Sequence, residues 1–192
     1  MRIAVVVVIL GVLVVLGAST AGAQAGNRLT FDAYGAFVIP TGDYGESFKA
    51  SPGIGAAIAY AVTPAIAIAG HFDWGMMKGK TEIGGTSVNQ DIMNYFATVG
   101  YDMLAAERAM SLVGFLGGGM QVFKPKPVAD APGGDSRSYP TVNAGFKFNY
   151  WFTGTLGLML RTGVSYAITQ EEDFGMRAAI NLPQAAGVSL RF

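Results

Sequence analysis

Between Thr141 and Tyr166 nearly every second residue is apolar. Val142, Ala144, Phe146, Phe148 and Tyr150 alternate with Thr141, Asn143, Lys147 and Asn149; past Thr153-Gly154, Leu156, Leu158, Leu160, Val164 and Tyr166 alternate with positions that include Arg161 and Ser165. A period of two places the two sets on opposite faces of β-strands, one meeting an apolar phase and the other polar contents. Hydrophobic residues make up 51% of the chain and charged residues 14%, yet after the first 25 residues no run is long and apolar enough for a membrane helix. A closed barrel resolves this tension. Its strands need apolar residues only at alternate positions, and closure satisfies every backbone hydrogen bond. The expected fold is all-β, an eight-stranded antiparallel up-and-down transmembrane β-barrel, and the 27 glycines suit its bends and close backbone approaches.

Both chain ends agree. Arg2 precedes an uninterrupted apolar run from Ile3 to Leu16, followed by Ala18, Ala21, Ala23 and Ala25. These are the three parts of a secretory signal, so residues 1–25 are expected to be a signal peptide cut after Ala23 or Ala25, and residues 26–192 the barrel. A retained helix would have to extend through Ala23 to approach the roughly 20 residues a span requires. At the other end Val188, Leu190 and Phe192 share one face, with Gly187, Ser189 and Arg191 on the other. This end resembles the carboxy-terminal assembly signal of outer-membrane barrels, which implies a bacterial outer-membrane location and the barrel assembly machinery as a partner. The chain has no cysteine, which removes a lipid anchor, disulfides, thiol catalysis and thiolate metal sites.

Eight strands are expected: Leu29–Ile39, Gly53–Val62, one carrying Ile66 to Trp74, Asp91–Met103, Ser111–Phe123, the two alternating segments above, and a last one ending at Phe192. Leu29, Phe31, Ala33, Phe37 and Ile39 share the lipid face of the first, and Ile54, Ile58, Tyr60 and Val62 that of the second, leaving Ala57, Ala59 and Ala61 inward. Ser111–Phe123 is apolar or glycine on both faces and has no readable orientation. The last strand is expected to start somewhere near Ile180 to Gln184, because Pro183 belongs at a strand beginning or edge. Short connections at Thr63-Pro64, Ala105–Ala109 and Thr153-Gly154 alternate with long polar ones, Thr41–Pro52, Lys78–Gln90, Lys124–Ser138 and Thr169–Asn181. That asymmetry is expected of periplasmic turns and extracellular loops, and it puts both termini on the periplasmic side. Phe31, Tyr60, Tyr101, Tyr150, Phe152 and Phe192 would form the lower aromatic girdle, and Phe37, Trp74, Tyr95 and Tyr166 the upper.

Inward positions carry charge. Asp32, His71, Asp73, Lys147, Arg161 and Arg191 would share the lumen, with Asp102 and Arg177 as further candidates. An eight-stranded barrel is just wide enough for side chains to fill it, so these charges are expected to pair and plug it rather than line a diffusion pore. A gated polar track using the same residues is the sharper alternative.

The segment Phe37-Val38-Ile39-Pro40-Thr41-Gly42-Asp43-Tyr44, with Ser51-Pro52-Gly53-Ile54-Gly55 and the Thr63-Pro64 turn, carries a more specific likeness. With it the chain from Leu29 to Phe192 resembles the small eight-stranded outer-membrane β-barrel family of OmpA-like, OmpX-like, OmpW-like and opacity-type porin-family proteins. The resemblance implies fold and location but not one activity, since members are anchors, adhesins, narrow pores, hydrophobic-ligand conduits and, rarely, enzymes.

The residue inventory argues against catalysis. Barrel hydrolases need a histidine with a serine or aspartate partner. The single histidine, His71, lies two residues before Asp73 on one face, but no His-x-Ser motif accompanies it, so no catalytic residue and no enzyme is expected; a lipid hydrolase is the remote alternative. No cofactor or metal is expected either. Glu171-Glu172-Asp173 reads as a solvated loop tip rather than a calcium site, and Gly117-Gly118-Gly119 lies in a strand pattern rather than a phosphate loop. The formal charge of zero and the absence of a basic run speak against nucleic acid. The expected protein is therefore a monomeric structural or interaction barrel that meets outer-membrane lipids and lipopolysaccharide and binds ligands or surfaces through four loops. The alternative is a narrow OmpW-like or porin-like channel for small or hydrophobic solutes, with the small inward residues Ala57, Ala59, Ala61, Ala67 and Ala69 leaving room. The chain ends at its last strand, so a peptidoglycan-binding domain is not expected.

Overall fold

The structure, a computed structural model, describes residues 28–80, 82–83, 86–105, 109–127, 134–170 and 177–192. The expected signal peptide and its cleavage site, and Glu171-Glu172-Asp173, lie outside the described residues.

Eight long strands form the wall: β1 (Leu29–Thr41), β3 (Ser51–Ala61), β4 (Ile66–Gly79), β7 (Gln90–Asp102), β8 (Met110–Pro125), β9 (Arg137–Trp151), β10 (Leu156–Ile168) and β11 (Ala178–Arg191). Each pairs antiparallel with its neighbours in order, β4 with β7 and β11 with β1, so the sheet closes. Closure leaves no edge, which is what lets strands span an apolar phase. The termini meet at the short-turn end, where the Leu29 and Phe192 backbones exchange hydrogen bonds of 3.2 and 2.8 Å. Two short turns share one device: the Thr63 and Thr153 hydroxyls accept from the Ile66 and Leu156 amides, each at 2.9 Å. In the third, Asp102 accepts from the Leu104 and Leu112 amides at 2.9 and 3.0 Å.

At the other end the long connections carry structure of their own. Thr41–Pro52, read as a loop, holds the helix α1 (Gly42–Ser47), entered through Gly42 at φ +60°, and a short strand β2 (Phe48–Lys49). β2 pairs with β4 one residue out of register with β3, so it continues β3 past an interruption at Ala50. Ser51 stitches the break, donating to the Lys49 carbonyl at 2.8 Å and accepting from the Lys78 amide at 3.1 Å. Lys78–Gln90 includes the hairpin of β5 (Glu82–Ile83) and β6 (Thr86–Ser87).

The wall sorts its side chains as the alternation predicts. Val142, Phe146, Tyr150, Leu156, Leu158, Leu160, Val164 and Tyr166 face out, while Thr141, Asn143, Lys147, Asn149, Arg161 and Ser165 are buried inside. Leu29, expected outward, is buried between ladder neighbours Tyr60 and Phe192. β8 acquires an orientation: Leu116, 62% exposed, and Met120 face out, and Ser111, Gln121 and Phe123 face in. β11 begins at Ala178, and Pro183 lies in its interior rather than at an edge. The β10–β11 ladder runs from Leu156↔Leu190 to Ile168↔Ala178 but omits Gly163↔Pro183 and Val164↔Leu182. Both omitted pairs depend on a bond from the Gly163 carbonyl to the Pro183 nitrogen, which has no hydrogen to give.

Candidate functional site

The lumen is filled in layers. Nearest the short turns, Lys147 Nζ lies 2.9 Å from Asp32 Oδ2, and the Ser189 hydroxyl donates to Asp32 Oδ1 at 2.5 Å while lying 3.1 Å from Asn149 Oδ1. β1, β9 and β11 supply these groups because closure brings the two chain ends together.

Above it sits a charged cluster around Arg161. Its Nη2 lies between both Asp73 oxygens at 2.8 and 2.7 Å, and its Nη1 donates to the Tyr34 hydroxyl at 2.9 Å. Tyr34 in turn donates to Asp73 at 2.6 Å, closing a three-membered ring of hydrogen bonds. The guanidinium also lies 4.6 Å from the centroid of the Tyr34 ring. His71 faces Arg161 through Nδ1 at 3.4 Å, meets the Thr98 hydroxyl through Nε2 at 3.0 Å, and stacks on Phe96 at 4.4 Å. Gly55 makes the cluster possible, because a Cβ there would overlap both the Tyr34 ring and the Asp73 carboxylate. The Arg161 side chain is 2% exposed and that of Asp73 14%; burial of this depth is tolerated only when the charges are paired and hydrogen-bonded.

The third layer is uncharged. The Asn94 amide donates to Asn143 at 2.9 Å and to Ser165 at 3.2 Å, Ser165 donates to Gln121 at 3.1 Å, and Thr141 lies 3.2 Å from Ser165. Asn94 Oδ1, Gln121 Nε2, Asn143 Nδ2 and Asn181 Oδ1 are buried without a protein partner, the kind of atoms that ordered water satisfies.

An apolar cap closes the long-loop end. α1 turns Tyr44 into the mouth, where it is fully buried among Met77, Ile92, Phe123, Tyr139, Ala167 and Ala179, with Phe48 packed alongside. Its ring lies 4.7 Å from Phe48 and 5.9 Å, edge-on, from Phe123. Its hydroxyl meets Gln90 Oε1 at 3.1 Å, and Lys80 ties the helix down by donating to the Gly45 carbonyl at 2.5 Å. Burial pushes the Tyr44 phenol above its ordinary range.

Of the six charged residues assigned to the lumen from sequence, five come together here as two groups: Asp32 with Lys147, and His71, Asp73 and Arg161. Arg191 does not join them. It stands at the short-turn end with its guanidinium 3.7 Å from the centroid of the Trp151 ring. Asp102 caps a turn, and Arg177 is exposed beside the start of β11. Val188, Leu190 and Phe192 all face out. Sequence reasoning missed the Asn94–Gln121 layer and the Tyr44 cap; Tyr44 and Phe48, four residues apart and bracketing Gly45, are the signal that could have found the latter. Among the described residues no three His, Asp or Glu side chains converge as a metal site.

No protein-family model matches the chain, and no curated protein matches it. Solved structures do. Ail, the attachment invasion locus protein of Yersinia pestis, solved in complex with the heparin analogue sucrose octasulfate, is similar over 87% of this chain and 99% of its own, with 16% identity and a TM-score of 0.58. Neisserial surface protein A matches with 13% identity and a TM-score of 0.62 over 85% of this chain and 97% of its own. The outer membrane protein OprG from Pseudomonas aeruginosa matches with 10% identity and a TM-score of 0.60 over 87% and 96%. Closed by eight antiparallel strands and similar to these proteins along nearly their whole length, the chain has the fold of the small eight-stranded outer-membrane β-barrels.

Proposed function

We propose that this protein is an integral outer-membrane barrel with a closed lumen, acting as a structural and interaction module through its four long loops. The observation that carries this reading is the filled lumen: an ion pair, a charged ring, an amide layer and the Tyr44 cap lie one above another. With charges paired on this scale, opening a polar track would strand at least one of them. His71 meets Thr98 through Nε2, faces the Arg161 guanidinium through Nδ1 at 3.4 Å and stacks on Phe96, so no ring nitrogen is left open to a substrate or water.

The long-loop end faces outward, both termini face the periplasm, and residues 1–25 are removed after Ala23 or Ala25. The barrel assembly machinery reads Val188, Leu190 and Phe192. The rim supports the orientation. Lys49 stands directly opposite Lys78 on the outer face of the wall, and Lys124 opposite Asp91, which also meets Lys126 at 2.8 Å. Like charges opposed across a ladder destabilise it unless an anion lies between them. Lipopolysaccharide phosphates beyond the Trp74 and Tyr95 belt would supply that anion. Ail is solved with a polyanionic sugar, and the loops above this rim are where a ligand of that kind would be met.

Single cysteines in this cysteine-free chain test the topology. Gln170→Cys should react with a membrane-impermeant maleimide on intact cells and Thr153→Cys only after the outer membrane is permeabilised; the reverse pattern overturns the reading. The lipid partner is tested by the Lys49→Glu, Lys78→Glu double variant, which should co-purify with less lipopolysaccharide, an unchanged yield contradicting it.

A further inference from the structure

Among the described residues the outer wall has one polar interruption at mid-height. Gln184 and Thr162, at the midpoints of β11 and β10, stand directly opposite each other on the outward face, and both are exposed; Phe37 of β1, opposite Gln184 on its other side, shares this height rather than that of the upper girdle expected from the sequence. Neither side chain has a hydrogen-bond partner among the described residues. The adjacent backbone is also incomplete, because Pro183 leaves the Gly163 carbonyl without its ladder donor. The spot is an open depression of about 750 Å³, lined on the outward face by Gly35, Ala186, Phe37, Phe146 and Leu160.

Half-way across a bilayer no water and no lipid headgroup can reach these groups, and each polar group unsatisfied there costs several kcal/mol. A lipid tail would fill the depression but offer no donor or acceptor. A second copy offers both. Gln carries a donor and an acceptor on one amide, so two Gln184 side chains facing each other across a two-fold axis satisfy one another, with Thr162 and the Gly163 carbonyl beside them. The small Gly35 and Ala186 let the backbones approach, and the aromatic side chains of one copy pack on those of the other, the close approach that drives association where hydrophobic driving force is absent.

We propose that the β10–β11–β1 wall is a homodimer interface centred on Gln184, in place of the monomer the sequence suggests. This rests on the reading that the outer face meets lipid, and the test keeps the two apart. In liposomes, at two protein-to-lipid ratios, Ala186→Cys on this wall is treated with a short thiol cross-linker beside Val99→Cys on the far wall, each variant first shown to retain the gel shift of a folded, inserted barrel. A cross-linked dimer is expected from Ala186→Cys alone, lost when Gln184→Leu is added and kept with Gln184→Asn. Equal cross-linking from both walls, none from Ala186→Cys, or a dimer insensitive to Gln184→Leu overturns the proposal. Loss of the gel shift in the parent barrel would instead overturn the membrane reading. Gln184→Leu places an apolar side chain on a lipid-facing surface, so it should not impair folding.

Discussion

Removing the Asp73 carboxylate should destabilise the barrel far more than its position on a membrane wall suggests. Asp73→Leu deletes two contacts to Arg161 and the acceptor for Tyr34, and leaves a guanidinium that is 2% exposed with no counter-charge. Breaking a buried pair from one side costs about 3–5 kcal/mol. At about 1.4 kcal/mol per decade that shifts the unfolding equilibrium by roughly two to three and a half powers of ten. Arg161→Met should cost a similar amount, because it strands Asp73. The Arg161→Met, Asp73→Leu double variant replaces the pair by apolar groups and should cost clearly less than the two singles added, a coupling of about 2–3 kcal/mol. Urea titrations in lipid, followed by the gel shift between folded and unfolded forms, measure all four proteins. Two singles near the 0–1 kcal/mol of an exposed ion pair, with additive effects, would refute the claim that the lumen depends on this ring.

Two further outcomes follow from the same geometry. Because burial raises the Tyr44 phenol, docking of α1 gains nothing from ionisation: it should hold steady up to about pH 10, the ordinary range of the group, and weaken above it as only the undocked phenol can release its proton. Hydrogen exchange of the α1 amides should report this rise in opening, and Tyr44→Phe should abolish it. A side chain at Gly117 would run into the Ala97 carbonyl of the neighbouring strand, so Gly117→Val should prevent closure and leave no heat-modifiable band, whereas Gly154→Val, in an open turn, should fold normally.

What could be read from the chain follows from where contrast exists. β9 and β10 announce themselves because one face is largely apolar while the other carries Lys147, Arg161 and the amides, so composition differs sharply between faces. β8 has no such contrast: Val113, Phe115, Gly117 and Gly119 line the inside and Leu116 and Met120 the outside, and only its pairing with β7 and β9 orients it. The inward placement of His71 and Asp73 was visible, but their partner Arg161 lies 88 residues beyond Asp73 and is delivered by closure of the sheet. Pro183 misleads because a barrel has no edge to which it could retreat, and the fold accepts a missing bond instead. The α1 cap left little trace beyond the Tyr44 and Phe48 spacing, because a six-residue helix is held by Tyr44 burial and the Lys80 tie more than by its own propensity.

The most direct test of the closed lumen is the conductance of the native barrel in planar bilayers. The layered ion pairs and the Tyr44 cap predict a silent membrane at all moderate voltages, while discrete, repeated openings from the unaltered protein would contradict the account and make Arg161 and Asp73 parts of a gate.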